Sequence, residues 1–448
     1  MALKGLDIFK MTPKTNCKEC GSPTCMAFSM KVAQGAVDIS KCPHMSEEAL
    51  ATLSEATAPP MQTIKVGPGD AEYTLGGETV LARHEKTFVS KTRFAVDVTP
   101  DMDVDAALAE SNKVDYERIG ERMHAEMVYV EYTGDAAAYV EAVKKVSGKG
   151  KTIILGCKDA EAAKAALEVC KAEKPVLNGA DASNYAEMAE IAKGAGVVLG
   201  VSGASLDELY DTTAAIEKLG YKDLVLDTTG ATIKETFATT VQVRRACLAK
   251  NPDRTCGYPS IVNLSKLAAG DEPMQIALAS LFVLKYGSIV VMDKMTYAAA
   301  LPLFGLRQNV FTDPQKPMKV EPGIYPINGG DENSLVLTTV DFALTYFVVS
   351  GELERSGIPC NLVINDAGGL SVLTAWAAGK LSSTSVAKFI QENVEPKIKC
   401  RKLVIPGKVA VLKGDIEAKL PGWEVIVAPN EAVQLVKFLK DLKANGEI

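Results

Sequence analysis

The sequence predicts an α/β protein in three parts: a small cysteine-rich head, a central (β/α)8 barrel of the TIM type, and a smaller Rossmann-like unit. Three observations predict it. Four of the 10 cysteines fall within the first 42 residues. Eight short apolar runs then alternate with amphipathic stretches through the middle of the chain. The same alternation resumes, on a smaller scale, after a segment rich in proline and glycine. Such alternation means parallel strands joined by crossover helices.

Composition bounds the possibilities. A chain of 448 residues is long enough for two or three domains, and 47% hydrophobic against 23% charged residues suits full cores. Lys plus Arg is 49 and Asp plus Glu is 56, a net charge of −7, which leaves no basic excess to replace phosphate counterions and argues against nucleic-acid binding. No apolar run approaches the roughly 20 residues that a membrane-spanning helix needs. Met1 to Met11 lacks a signal-peptide core, so the expectation is a cytoplasmic protein with no membrane partner.

The head is read as residues 1–58. Cys17, Cys20, Cys25 and Cys42 follow the spacing C-x2-C-x4-C-x16-C, with Pro43 directly after the last. Four thiolates in a segment expected to be too small for a core of its own imply a metal centre that supplies folding energy. Zinc and iron–sulfur clusters both accept four thiolates. Structural zinc usually presents two C-x2-C knuckles, whereas here three ligands share one loop and a distant fourth precedes proline, which favours a 4Fe–4S cluster over zinc. Gly21 and Pro23 give the loop its turns, and His44 reads as a surface or capping residue. Cys157, Cys170, Cys247, Cys256, Cys360 and Cys400 are isolated in apolar or helical surroundings and read as small buried hydrophobes.

Residues 59–92 read as a linker and a barrel-closing hairpin. Prolines and glycines punctuate Ala56 to Gly77, and Arg83 to Arg93 is expected to form a short strand or hairpin. Over 93–312, strands are expected at Phe94–Val98, Met127–Tyr132, Thr152–Leu155, Pro175–Leu177, Val197–Val201, Leu224–Asp227, Ile261–Leu264 and Ile289–Met292. Helices are expected at Ala160–Lys171, Tyr185–Lys193, Ser205–Leu219 and Glu272–Lys285, among others. Eight strands in some 220 residues fit one closed barrel, with an open doubly wound sheet as the alternative. Asp227 and Asn263 fall at strand ends, where barrel active sites occur, although no acid, base and nucleophile cluster around them in the sequence.

Residues 313–333, with Pro314, Pro317, Pro322, Pro326 and Gly329–Gly330, read as a stiff connector. Residues 334–448 repeat the alternation. Strands are expected at Ser334–Thr339, Asn361–Asn365, Lys402–Ile405, Val409–Leu412 and Trp423–Val427, and helices at Phe342–Leu353, Ser371–Ala378, Ser385–Asn393 and Glu431–Leu442. Ligands of such sheets sit at the carboxyl ends of the strands. After Asn361–Asn365 comes the turn Gly368–Gly369, then Leu370, Ser371, Val372, Leu373 and Trp376. This is not a G-x-G-x-x-G fingerprint and suits a large planar apolar ligand better than a pyrophosphate. A plain crossover helix is the competing reading.

Taken together, Cys17-Lys-Glu-Cys20-Gly-Ser-Pro-Thr-Cys25 with Cys42-Pro43, Thr338-Thr339 followed by Phe342-Ala-Leu-Thr-Tyr346, and Leu370-Ser-Val-Leu-Thr-Ala-Trp376 closely resemble the large (gamma) subunit family of corrinoid iron–sulfur proteins, over the whole chain.

The resemblance implies a methyl carrier of the reductive acetyl-CoA (Wood–Ljungdahl) pathway. The small amino-terminal part would be a 4Fe–4S domain, with Cys17, Cys20, Cys25 and Cys42 as ligands. The Rossmann-like unit would bind a cobalamin-type corrinoid through Thr339, Val340, Tyr346, Gly368, Gly369, Leu370, Ser371, Val372, Leu373, Thr374, Ala428 and Pro429. The implied partners are a small subunit in a heterodimer, a methyltetrahydrofolate methyltransferase and acetyl-CoA synthase, with the cluster reducing Co(II) back to Co(I). The three histidines are His44, His84 and His124, so no histidine can reach a cobalt from the C-terminal unit. A base-off corrinoid without a histidine ligand follows, with Thr374 as the candidate beneath the metal. A pterin-dependent methyltransferase working through the barrel is the alternative.

Overall fold

The computed structural model describes residues 5–33, 37–50, 53, 60–249, 252–313 and 317–448. The chain divides into two units, Met1–Tyr116 with Arg122–Phe311, and Glu117–Glu121 with Thr312–Ile448. No helix among the described residues is long and apolar enough to cross a membrane.

The head lies in the first unit. Helices Gly5–Lys10 and Cys25–Ala33 pack on each other, and Ile8, Phe28, Val32, Ile39, Met45, Ala49 and Leu53 bury a small core that includes Cys42. The expectation that this segment lacks a core is therefore corrected. Two short helices cover one another's apolar faces even in so short a stretch.

Strands β1 (Thr63–Val66) and β2 (Tyr73–Gly76) form an antiparallel hairpin. The expected hairpin at 83–93 is absent, since residues 81–92 are turns and bends. Of the linker expected at 56–77, residues 56–59 lie outside the described residues. The rest is largely this hairpin, because alternate Ile64, Val66 and Leu75 turn to an apolar surface.

That surface is the floor of the barrel. β3 (Arg93–Val98) opens it, a two-stranded ribbon of β4 (Tyr116–Arg118) and β5 (Glu121–Met123) follows, and the remaining staves come in order. They are β6 (Met127–Glu131), β7 (Thr152–Gly156), β8 (Val176–Ala180), β9 (Val198–Ser202), β10 (Leu224–Asp227), β11 (Ser260–Asn263) and β12 (Ile289–Met292). All eight pair in parallel into a closed ring, which removes the open-sheet alternative. Alternation decides what faces where. Ala95, Met127, Tyr129, Ile154, Val176, Val198, Val225, Ile261, Ile289 and Val291 fill the interior together with the hairpin, while Phe94, Val96, Val128 and Val130 turn out to the helices.

The hairpin is stitched to the amino end of the barrel. Gly67 N–H donates to Lys174 O (3.0 Å), and Thr152 Oγ1 donates to Ala71 O (2.7 Å). Gly67 has φ +89°, and a Cβ there would lie 2.0 Å from Ala71 O and 2.2 Å from Thr152 Oγ1. Gly67→Ala is therefore expected to cost about 2 kcal/mol, read as a lowered Tm of the barrel. Beneath the ring, Arg307 Nη1 meets Glu126 Oε1 at 2.6 Å, with both side chains almost wholly buried. Burial alone would raise the Glu126 carboxyl, but Arg307 and Arg93 hold it below its ordinary range.

The second unit is a five-stranded sheet. It consists of β13 (Gly323–Ile327), β14 (Leu335–Val340), β15 (Cys360–Asn365), β16 (Lys402–Ile405) and β17 (Glu424–Val427), in the order β13-β15-β14-β16-β17. The last four are parallel and β13 is an antiparallel edge. The expected connector thus contributes a strand. Its prolines fit because an edge needs hydrogen bonds on one side only. Residues 409–412, expected as a strand, lie in the 3-10 turn Gly407–Leu412, which leads into a helix at Lys413–Lys419. Pro406 and Gly407 end the strand before them, and Val411 is 70% exposed, as no buried strand residue would be.

Candidate functional site

The cysteine loop is strained into shape. Asn16, Lys18 and Gly21 all have positive φ (51°, 68° and 74°), a left-handed conformation that costs non-glycine residues energy unless the surroundings demand it. Asn16 holds the loop to the helix that begins at Cys25. Its Oδ1 accepts from Cys25 N (2.8 Å), and its own N–H donates to Cys25 Sγ (3.4 Å). Cys25 stands at the first residue of that helix. Cys42 is buried in the head core and Cys20 packs against that core, while Cys17 is half-exposed. All four are free thiols. Between them lies Ser22, 2% exposed, whose buried hydroxyl has no partner.

The one trio of ligand atoms within 4.8 Å among the described residues is Cys17, Glu19 and His44, a mixed and exposed set. His44 Nε2 lies 3.0 Å from Glu19 Oε2, which suits the surface role read from the sequence. A cubane carries one iron per thiolate, so its ligands stand further apart than those of a single ion. Four unpaired thiols, a nest of turned amides and an idle hydroxyl fit such a group.

In the C-terminal unit the chain leaves β14 toward β15 on one flank and leaves β16 toward β17 on the other, so a crevice opens at the carboxyl ends of β14 and β16. A cleft of about 480 Å³ occupies it. Of the residues named from the sequence, Thr339, Ser371, Val372, Leu373, Ala428 and Pro429 line this cleft. Val340 is fully buried beneath it, and Leu370 packs on the same core. Thr374 is exposed and shares its hydroxyl with Ser371 Oγ at 2.9 Å.

Tyr346 is not brought in. Its ring packs on Tyr325, with centroids 5.3 Å apart, against the core of Leu337, Leu353 and Leu362, and it is not among the lining residues. Gly368 and Gly369 are not in the lining either, and their turn is already engaged. Buried Asp341 accepts from Ala367 N and from Gly369 N, each at 3.0 Å. The turn therefore offers no open cradle for a phosphate, in keeping with the missing fingerprint. Gly369 N also reaches Asp341 Oδ2 at 3.0 Å, so Asp341→Asn would turn an amide N–H₂ toward the Gly369 N–H and is expected to cost about 2 kcal/mol. Both tryptophans, Trp376 and Trp423, lie in this unit, so their fluorescence in a urea titration reads that loss alone.

Leu344 and Val348 also line the cleft, four residues apart on the helix Ala343–Ser356. An apolar i, i+4 pair is the one signal that the sequence carries for them, and core packing produces the same pattern. With Leu373 they are 62%, 47% and 46% exposed, an open apolar face on a folded unit. At its floor, Thr339 is 2% exposed and its Oγ1 has no hydrogen-bond partner, and neither has Asn365 Oδ1 at the next strand end. Apolar walls with a few unused polar atoms fit a large planar ring that carries amide side chains.

The carboxyl end of the barrel is polar. Continuing the inward alternation past Ala95, Tyr129, Val176, Val225 and Ile261 gives Asp97, Glu131, Asn178, Asp227 and Asn263. Asp227 Oδ2 accepts from Asn178 Nδ2 (2.8 Å), which also donates to Tyr129 OH (3.2 Å). Lys266 Nζ meets Glu131 Oε1 at 3.0 Å. Ser265 Oγ lies 2.5 Å from Asp97 Oδ2 and 2.5 Å from Asn263 Oδ1. Burial, opposed by the Ser265 hydrogen bond, pushes the Asp97 carboxyl up to about 6. Asp227 and Asn263 thus stand in one polar rim on neighbouring strands, bridged by Thr229, whose N–H donates to Asp227 Oδ1 (3.0 Å) and whose Oγ1 accepts from Asn263 N (2.8 Å).

The chain has close relatives among known proteins. Residues 63–439 match the family model for the CO dehydrogenase/acetyl-CoA synthase delta subunit, and residues 13–44 match one described as "Putative Fe-S cluster". The corrinoid/iron-sulfur protein large subunit of Moorella thermoacetica is 37% identical over 446 residues, 98% of this chain and 99% of that one. The acetyl-CoA decarbonylase/synthase complex subunit gamma of Methanopyrus kandleri is 34% identical, covering 98% and 97%. That of Archaeoglobus fulgidus is also 34% identical, covering 97% of each chain.

Proposed function

We propose, because the chain belongs to the family of corrinoid/iron–sulfur protein large subunits and acetyl-CoA decarbonylase/synthase gamma subunits, that it is a methyl carrier of the reductive acetyl-CoA pathway. It would take a methyl group from a methyltetrahydrofolate methyltransferase and hand it to acetyl-CoA synthase. The observation that carries this reading is the open apolar cleft at the β14/β16 crevice, floored by an unpaired threonine hydroxyl. A cobalamin-type corrinoid supplies there a cobalt that accepts and releases the methyl group, and a 4Fe–4S cluster supplies the electron that restores oxidised cobalt.

The chain's own residues do the holding. In this reading residues 1–58 are the cluster domain, 93–312 the barrel and 334–448 a Rossmann-like corrinoid-binding domain. Cys17, Cys20, Cys25 and Cys42 ligate the cluster, and the Ser22 hydroxyl and Asn16 N–H lower the negative charge felt at its sulfurs. Val372, Leu373, Leu344 and Val348 press on the macrocycle and exclude water, while Thr339 and Ser371 meet its amides. Ala428 and Pro429 close the side at the end of β17. With no histidine in this unit, it would offer a bound cobalt no imidazole, in keeping with a base-off corrinoid. Thr374 would shield the bound group without offering it a ligand, since its hydroxyl is engaged with Ser371. The face left open by this unit is where a small subunit completes a heterodimer, and all of this takes place in the cytoplasm.

Thr339→Val tests the cleft. A buried hydroxyl without a partner costs about 1 to 2 kcal/mol, so the apo chain should become more stable by that amount in tryptophan-monitored urea unfolding. Corrinoid affinity should fall about tenfold. Unchanged corrinoid affinity would remove Thr339 from the site.

A further inference from the structure

The barrel mouth is left unused by the carrier reading, yet it is not a finished structure. Asn263 is 0% exposed, and its Nδ2 has no hydrogen-bond partner although its Oδ1 is engaged by Ser265 and caps Lys266 N. A buried amide N–H₂ with nothing to donate to costs free energy that folding alone has no reason to retain. Asp97 Oδ1 and Glu131 Oε2 are likewise buried and unpartnered. These three atoms belong to strand ends whose inner neighbours, Ile261, Ala95 and Tyr129, all point into the barrel, so all three look onto the same mouth. The Ser265 hydroxyl ties the Asp97 carboxylate to the Asn263 amide at 2.5 Å on each side, which brings an idle acceptor and an idle donor to the same point of the rim.

We propose that this mouth is a second small-molecule site, and that it takes a planar heterocycle with a lactam edge, an N–H beside a C=O. The lactam carbonyl accepts from Asn263 Nδ2 and the ring N–H donates to Asp97 Oδ1. An exocyclic amino group, where the ligand has one, donates to Glu131 Oε2. A cation does not explain the set, because an amide N–H₂ would face it and because no three carboxylate oxygens among the described residues converge within 4.8 Å. An anion does not explain it either, with two carboxylates in place and Lys266 already paired to Glu131. The interior below supplies a flat floor. Gly156 and Gly200 have no side chain because the Tyr129 ring and Asn178 amide lean over them, with a Cβ there falling 2.4 Å and 2.2 Å from those groups.

Equilibrium dialysis of the full-length chain tests this with four probes: 6-hydroxymethylpterin and guanosine, which carry the lactam and the amino group, uridine, which carries the lactam edge alone, and adenosine, which has an amino group but no lactam. The expected result is saturable binding of one pterin or guanosine per chain, weaker binding of uridine, and none of adenosine. Which of the first two binds better identifies the ring system. Asn263→Asp keeps the helix cap but replaces the donor by an acceptor, and should weaken binding at least about tenfold. Glu131→Gln should weaken pterin and guanosine but leave uridine unchanged. This second variant carries the comparison if Asn263→Asp does not fold, as judged by its thermal melt. Binding of adenosine equal to guanosine, no binding of any probe at millimolar concentration, or folded variants with unaltered affinity would each overturn the proposal and leave the mouth a hydrated polar rim.

Discussion

Cys42→Ser is expected to strip the chain of cluster iron and to loosen the head, while the barrel and the C-terminal unit remain folded. Cys42 is the one proposed ligand outside the 17–25 loop. It follows the turn Ile39–Lys41 and is buried among Ile39, Met45 and Phe28, so a metal bound through it ties the two halves of the head together. A serine oxygen is a harder and more basic donor than a thiolate and stays protonated at neutral pH, which removes a ligand rather than exchanging one. Metal ligation by small four-thiolate domains contributes on the order of 10 kcal/mol to their folding. The head's own core is small, eight buried residues counting Cys42 among the described residues, and does not replace that contribution. Iron and acid-labile sulfide per chain, with limited proteolysis followed by mass, should show near-complete loss of cluster and cleavage confined to the head. Full iron content in a folded Cys42→Ser chain would remove Cys42 from the ligand set.

Asp97→Asn is expected to act in the opposite direction and to stabilise the barrel. The folded pKa of Asp97 is raised from 3.8 to about 6. The fold therefore prefers the protonated form. What this group contributes is present below about pH 4, is lost as pH rises through 6, and above that the buried carboxylate is a cost. A rise of that size corresponds to roughly 3 kcal/mol. Asparagine keeps the shape, carries no charge, and can donate to Ser265 Oγ, which then donates to Asn263 Oδ1. The variant should melt several degrees above the parent at mildly alkaline pH, with the gap closing as pH falls toward about 4. A gap independent of pH would mean that burial of the charge is not the cause. A substitution that stabilises a fold while removing a group from its mouth is what a retained binding residue produces.

Much of the fold was legible because period-two burial is written into the strands. All eight barrel staves fall within a few residues of their expected positions, since each is a short apolar run bounded by polar helix caps such as Asp159 and Ser205. The hairpin at 63–76 was hidden because Gly67, Pro68 and Gly69 interrupt it while only Ile64, Val66 and Leu75 carry its buried packing. β13 was hidden for the related reason that an edge strand tolerates prolines. At the cleft, the strand-end rule found Thr339, Ala428 and Pro429, and the helix after the turn gave Val372 and Leu373. It did not reveal that Asp341, two residues beyond Thr339, would use the amides of the Gly368–Gly369 turn. A long-range hydrogen bond leaves no local pattern. Tyr346 failed for a geometric reason, as it lies two residues from Leu344 and Val348 and so faces away from them around the helix.

Electron paramagnetic resonance of the anaerobically purified chain, together with the proteins that remain bound to it, tests the carrier account most directly. The account predicts a Co(II) signal without nitrogen superhyperfine splitting in the as-isolated protein and a 4Fe–4S signal on reduction, in stoichiometric amounts. A cluster signal with no cobalt would contradict it, and the C-terminal cleft would then need another ligand.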